Sequence, residues 1–94
     1  MLDSSRLASD LEALMTGALG EVEFEQLYVP QRAESSLLQA IWGGLAHYLS
    51  DADIRARDER YRALQDGEMA KLILLIRQGA PLAELGQISF LQRT

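Results

Sequence analysis

The chain holds few residues equipped for covalent chemistry. His47 is its one histidine, and there is no cysteine. His47 and Asp51 stand four apart, so on a helix both could face one cation, but a metal site needs a third ligand and no other residue is spaced to supply it. Neither a glycine-rich phosphate loop nor a Ser-His-Asp arrangement at a familiar spacing is present, so an enzymatic role is not expected. No cofactor is expected either. What the chain does offer is charge. Glu21, Glu23 and Glu25 form its densest acidic feature, none of them has a base within four residues, and with Glu12 they leave an uncompensated acidic patch. Carboxylates in the first turn of a helix stabilise the positive end of its dipole, which accounts for Glu21 and Glu23 better than for Glu25. The same surplus also suits a partner that presents lysine and arginine.

The distribution of charge sharpens this. Residues 1–34 contain seven acids against Arg6 and Arg32, which equals the whole net charge of -5, whereas 51–62 and 63–94 are each balanced. In 51–62 the pairs Asp51/Arg55, Asp53/Arg57, Arg55/Glu59 and Asp58/Arg62 are all spaced i,i+4, the mark of a solvated, self-neutralised face. An acidic surface repels phosphates, so direct nucleic acid binding is not expected.

These residues need a scaffold, and 94 residues suffice for one helical domain over 1–94. Leu7, Leu11, Leu14, Met15 and Ala18 recur at helical spacing from Asp3 to Ala18, with Gly17 and Gly20 closing the segment. Phe24, Leu27 and Tyr28 predict a second helix over Glu21–Val29, apolar on one side only and stopped by Pro30. The uncharged run Ser35–Leu49 carries Leu38, Ile41, Trp42, Leu45, Tyr48 and Leu49 and should be the central helix, with Trp42 mostly out of water. Gly43-Gly44 within it points to a close helix crossing. Residues 51–62 read as a charged turn or short helix. Asp66 then caps a last helix, Gly67–Gln78, with Met69, Leu72, Ile73 and Ile76 inward, and Gly79 and Pro81 end it. Leu74 and Leu75 widen that apolar stripe, so the tail 79–94, through Leu82, Leu85, Ile88, Phe90 and Leu91, is expected to fold back over it. Gln87–Gln92 alternates like a strand but has nothing in the chain to pair with.

No cysteine means no disulfide framework, and a reducing, cytoplasmic compartment is the simplest reading. Met1–Arg6 has an acid before its first base and no apolar stretch behind it, so a secretory signal is not expected, and Ser35–Ser50 is too short and polar to cross a bilayer.

Four features lie in order between Gly20 and about Arg77: Gly20-Glu21-Val22-Glu23-Phe24, Ala40-Ile41-Trp42 followed by Leu45 and Tyr48, Asp53-Ile54-Arg55, and Asp66-Gly67-Glu68-Met69. In these the chain resembles the colicin D immunity-type family of small bacteriocin and contact-dependent toxin immunity proteins. The resemblance implies an all-α, antiparallel four-helix bundle that is not an enzyme and that binds the nuclease domain of a cognate toxin, an RNase or tRNase. In such proteins acidic residues fill the basic cleft where the toxin holds RNA phosphates. Glu12, Glu21, Glu23 and Glu25 are the first candidates for that role. Asp51, Asp53, Asp58 and Glu59, around the Asp53-Ile54-Arg55 match, form the second. The tail from Gly79 has no counterpart in the resemblance. The alternative reading is a homodimeric helical adaptor that uses Met69–Ile76 and the tail as its interface.

Overall fold

The computed structural model describes residues 3–85, and among them every regular element is helical: α1 (Ser4–Thr16), α2 (Glu21–Arg32), α3 (Ser36–Ser50), α4 (Ala52–Arg57), α5 (Glu59–Arg77) and α6 (Leu82–Leu85). The fold is all-α. Four longer helices form the body of the bundle, with α1 packed along α5 and α2 against α3, while the short α4 lies on α5 and α3 and α6 touches α3 and α5.

The caps follow from local chemistry. The Asp3 carboxylate accepts the Arg6 amide at 3.2 Å and the Ser35 hydroxyl accepts the Leu38 amide at 3.1 Å, so α1 and α3 start where a short acceptor precedes the apolar repeat. Gly17 ends α1 at φ 86°, a left-handed conformation that costs glycine nothing, and its amide closes on the Leu14 carbonyl at 3.3 Å.

Two boundaries differ from the sequence expectation. Helix α2 does not stop at Val29 but continues to Arg32 with Pro30 inside it. Pro30 has no N–H for the Gln26 carbonyl, yet both residues lie on the exposed side of the last turns, where that carbonyl is open to solvation and the helix tolerates the loss. Asp66 does not start the last helix. The N-cap is Asp58, whose carboxylate accepts the Arg60 and Tyr61 amides at 3.0 and 3.1 Å, and α5 runs unbroken for 19 residues through Gly67. A single exposed glycine costs about 1 kcal/mol relative to alanine, too little to end a helix that is packed along its length.

The core draws on every long helix: Leu7, Leu11 and Leu14 from α1, Phe24 and Tyr28 from α2, Leu38, Ile41, Leu45 and Tyr48 from α3, and Met69, Leu72, Ile73 and Ile76 from α5. The Phe24 and Tyr28 rings tilt against each other with centroids 4.7 Å apart, and the Tyr28 hydroxyl donates to Asp10 at 2.5 Å, tying α2 to α1. Trp42 packs against the core from its margin with most of its surface out of water, as its stripe implies, and the Arg32 guanidinium lies 5.3 Å from its ring centroid. Gly44 is buried on the inner face of α3. Leu85 is buried against the bundle, while Leu74 is 56% exposed. Ile88, Phe90, Leu91 and the alternating Gln87–Gln92 lie outside the described residues.

Candidate functional site

The glutamates of α2 and the charged residues of 51–62 have different surroundings. Gly20 caps α2 without a side-chain bond, leaving the first-turn carboxylates of Glu21 and Glu23 to face the helix dipole. Glu23 folds back over Gly20, Glu21 is half-exposed, and Glu25 is exposed. Among the described residues none of the three makes an ion pair. Glu25 also belongs to a shallow dent formed with Val22, Gln26, Val29 and Pro30. Val22 is 68% exposed and Val29 46%. Helix α2 is therefore apolar on two sides: Phe24 and Tyr28 face the core, and Val22, Val29 and Pro30 face out. The expectation of one apolar side is corrected by the second one, and its signal was in the sequence, because residues 22, 25, 26 and 29 follow the helical i, i+3, i+4, i+7 rule.

Glu12 leaves the patch altogether. Its carboxylate meets the Arg77 guanidinium at 2.9 Å, joining α1 to the end of α5. A search for bases within four residues cannot see a partner 65 positions away.

The second group of candidates is largely occupied by the fold. Asp51 accepts the Tyr61 hydroxyl at 2.5 Å and the Gln65 amide at 3.3 Å. Arg55, paired by spacing with Asp51 and Glu59, turns inward instead. Its guanidinium donates to the Tyr48 carbonyl and, at 2.8 Å, to Gln65 Oε1, and lies 3.7 Å from the Tyr48 ring centroid. The Tyr48 hydroxyl donates to Asp66 at 3.2 Å, and Asp66 in turn pairs with Arg62 at 3.7 Å. Asp58, matched by spacing with Arg62, caps α5. Asp53 does pair with Arg57, at 3.7 Å and with both side chains 74% exposed, as its spacing predicts. Glu59 stands exposed in the first turn of α5.

Spacing alone misplaced Arg55 because α4 buries none of its own residues. The most favourable partner for a planar cation there is the aromatic and carbonyl surface of α3, not a carboxylate in water. Gln65, 4% exposed, is the hub that sequence reasoning missed: it bonds Arg55, Asp51 and the Tyr61 hydroxyl, so no polar atom of its side chain is left without a partner. Burial pushes the Tyr48 hydroxyl up to about 12, with Arg55 opposing the shift and Asp66 and Glu21 adding to it. Tyr28 is raised too, first by burial and then by its bond to Asp10.

His47 is exposed on α3, and Asp51 is committed elsewhere, so the two do not form a shared site. Among the described residues no three of His, Cys, Asp and Glu are grouped to hold a metal ion, and no helix is long and apolar enough to cross a membrane. The arrangement offers a mixed acidic and apolar surface on α2 and a closed polar junction under α4. No family model, curated protein or solved structure matches the chain.

Proposed function

We propose that the chain is an immunity-type inhibitor that acts in the cytoplasm on the nuclease domain of a cognate toxin, an RNase or tRNase, by placing the glutamates of α2 in its basic cleft. The observation that carries this reading is the contrast in employment of the acids. Glu12, Asp51, Asp53 and Asp58 are paired or capping within the fold, whereas Glu21, Glu23 and Glu25, and of the second group only Glu59, make no ion pair among the described residues. Unpaired carboxylates on a rigid helix project a field that speeds encounter with a basic partner and do so without reorganising. The resemblance in Gly20–Phe24 and Asp53–Arg55 supports the same reading. No chemistry is asked of the inhibitor, because occupation of the cleft excludes RNA.

The test is co-expression with candidate toxin nuclease domains, joined to measured binding rates. Reversal of Glu21, Glu23 and Glu25 to lysine should abolish protection and slow association about tenfold or more at low salt, less at high salt. Full protection with an unchanged rate removes α2 from the mechanism.

A second reading, the homodimeric adaptor, draws on Leu64 and Leu74, which are 58% and 56% exposed on α5. Light scattering across a concentration series decides it: a dimer lost in Leu74→Ser would favour the adaptor.

A further inference from the structure

Among the described residues the core uses only the opposite side of α2, and no buried contact accounts for the apolar residues on its outside. Val22, 68% exposed, and Val29, 46% exposed, flank a dent whose described walls also include Glu25, Gln26 and Pro30. Pro30 also denies the Gln26 carbonyl its usual i+4 amide donor. From this combination we propose that the outer face of α2 is a docking surface for an amphipathic basic segment: apolar side chains seated between Val22 and Val29, with lysines or arginines reaching Glu25 and the polar wall at Gln26.

Charge selects this occupant over a second copy of the chain. Two α2 faces brought together would set glutamate against glutamate, and the first 34 residues hold the whole net charge of -5. A basic segment instead gains on both counts. Its cations find carboxylates that need not first break an internal pair, and its apolar side chains cover valines that otherwise face water. The inference rests on the reading of α2 as the partner face given above and adds the valines as anchors: the glutamates set the rate of encounter and the valines the lifetime of the complex.

The test uses the whole chain and a synthetic amphipathic helix of leucine and lysine, with a leucine–glutamate peptide of the same pattern as control, followed by backbone amide resonances. The lysine peptide should shift Val22, Glu25, Gln26 and Val29 first, and the control should leave them in place. Val22→Ser with Val29→Ser should weaken binding about tenfold, mainly through faster dissociation. Leu64→Ser with Leu74→Ser, which removes equally exposed leucines from α5, should not. Thermal melts of both double variants guard against a lost fold.

Binding of the lysine peptide that is indifferent to the valine pair, equal binding of the glutamate peptide, or concentration-dependent shifts of α2 in the chain alone would each overturn the proposal. Because no toxin enters this experiment, its failure is distinct from loss of protection in co-expression. A chain that binds the peptide at α2 but gives no protection keeps the docking surface and loses the immunity function.

Discussion

The outer face of α2 and the junction beneath α4 draw on the same acidic chemistry and put it to opposite uses. At the junction, Asp51, Arg55, Tyr48, Tyr61, Gln65 and Asp66 satisfy one another, and the product is the attachment of a six-residue helix that has no buried residue of its own. On α2 the glutamates are free of ion pairs among the described residues and stand beside exposed valines. Number of charges does not distinguish the two regions. Their bonding does: a carboxylate already bonded to a buried tyrosine must lose that bond before it can serve a partner, and one in water gives up only hydration.

The comparison is broken most directly at Arg55. Arg55→Ala should destabilise by about 3 kcal/mol in urea unfolding, because it removes the stack on Tyr48 and leaves the Tyr48 carbonyl and Gln65 short of a donor. Arg55→Lys should recover only a small part, since an ammonium cannot reproduce the planar stack. If either melts with the parent, the junction is no structural device.

Alkaline pH gives the next largest effect. Burial pushes the Tyr48 hydroxyl from its ordinary 10.0 up to about 12, so its neutral form is favoured by folding. That contribution is complete below about pH 10 and is lost as pH rises from there toward 12, an effect on the order of 2 kcal/mol, and Tyr28 adds in the same direction. Unfolding free energies measured from neutral pH upward should fall through this window, and Tyr48→Phe should flatten the fall.

A smaller loss is expected from Asp51→Asn, about 1–2 kcal/mol, as the charge-assisted bond from the Tyr61 hydroxyl becomes a neutral one. Smallest are the changes in solvent. Glu25→Lys and Asp53→Ala should each leave stability within about 0.5 kcal/mol of the parent, whereas Glu21→Lys and Glu23→Lys, which set cations against the dipole of α2, should each cost about 1 kcal/mol. A large loss in the α2 reversals would show those acids to be structural and erase the contrast between the two regions.

Most of the fold was legible in the sequence. The repeats at Leu7, Leu11 and Leu14, at Leu38, Ile41 and Leu45, and at Met69, Leu72 and Ile76 predicted three helices with the right faces inward. The caps Asp3 and Ser35 and the stop at Gly17 are equally local. These features depend on groups within about four residues of one another, the range over which a helix fixes its own geometry. The boundaries at Pro30 and Asp66 were misread because packing outweighs a single unfavourable residue.

The candidate site was legible only in part. The helices, their inner faces and the acidic surplus of the first 34 residues follow from the sequence alone, while the second, outward apolar side of α2 was recognised only in the structure. Which acids remain available was decided by tertiary structure alone. Asp10 meets Tyr28 across 18 residues, Glu12 meets Arg77 across 65, and Arg55 leaves its i,i+4 carboxylates for Tyr48 and Gln65. The physical reason is range: helix propensity and capping act along the chain, whereas the pairing of charges acts through space, between surfaces that meet only after the helices have packed.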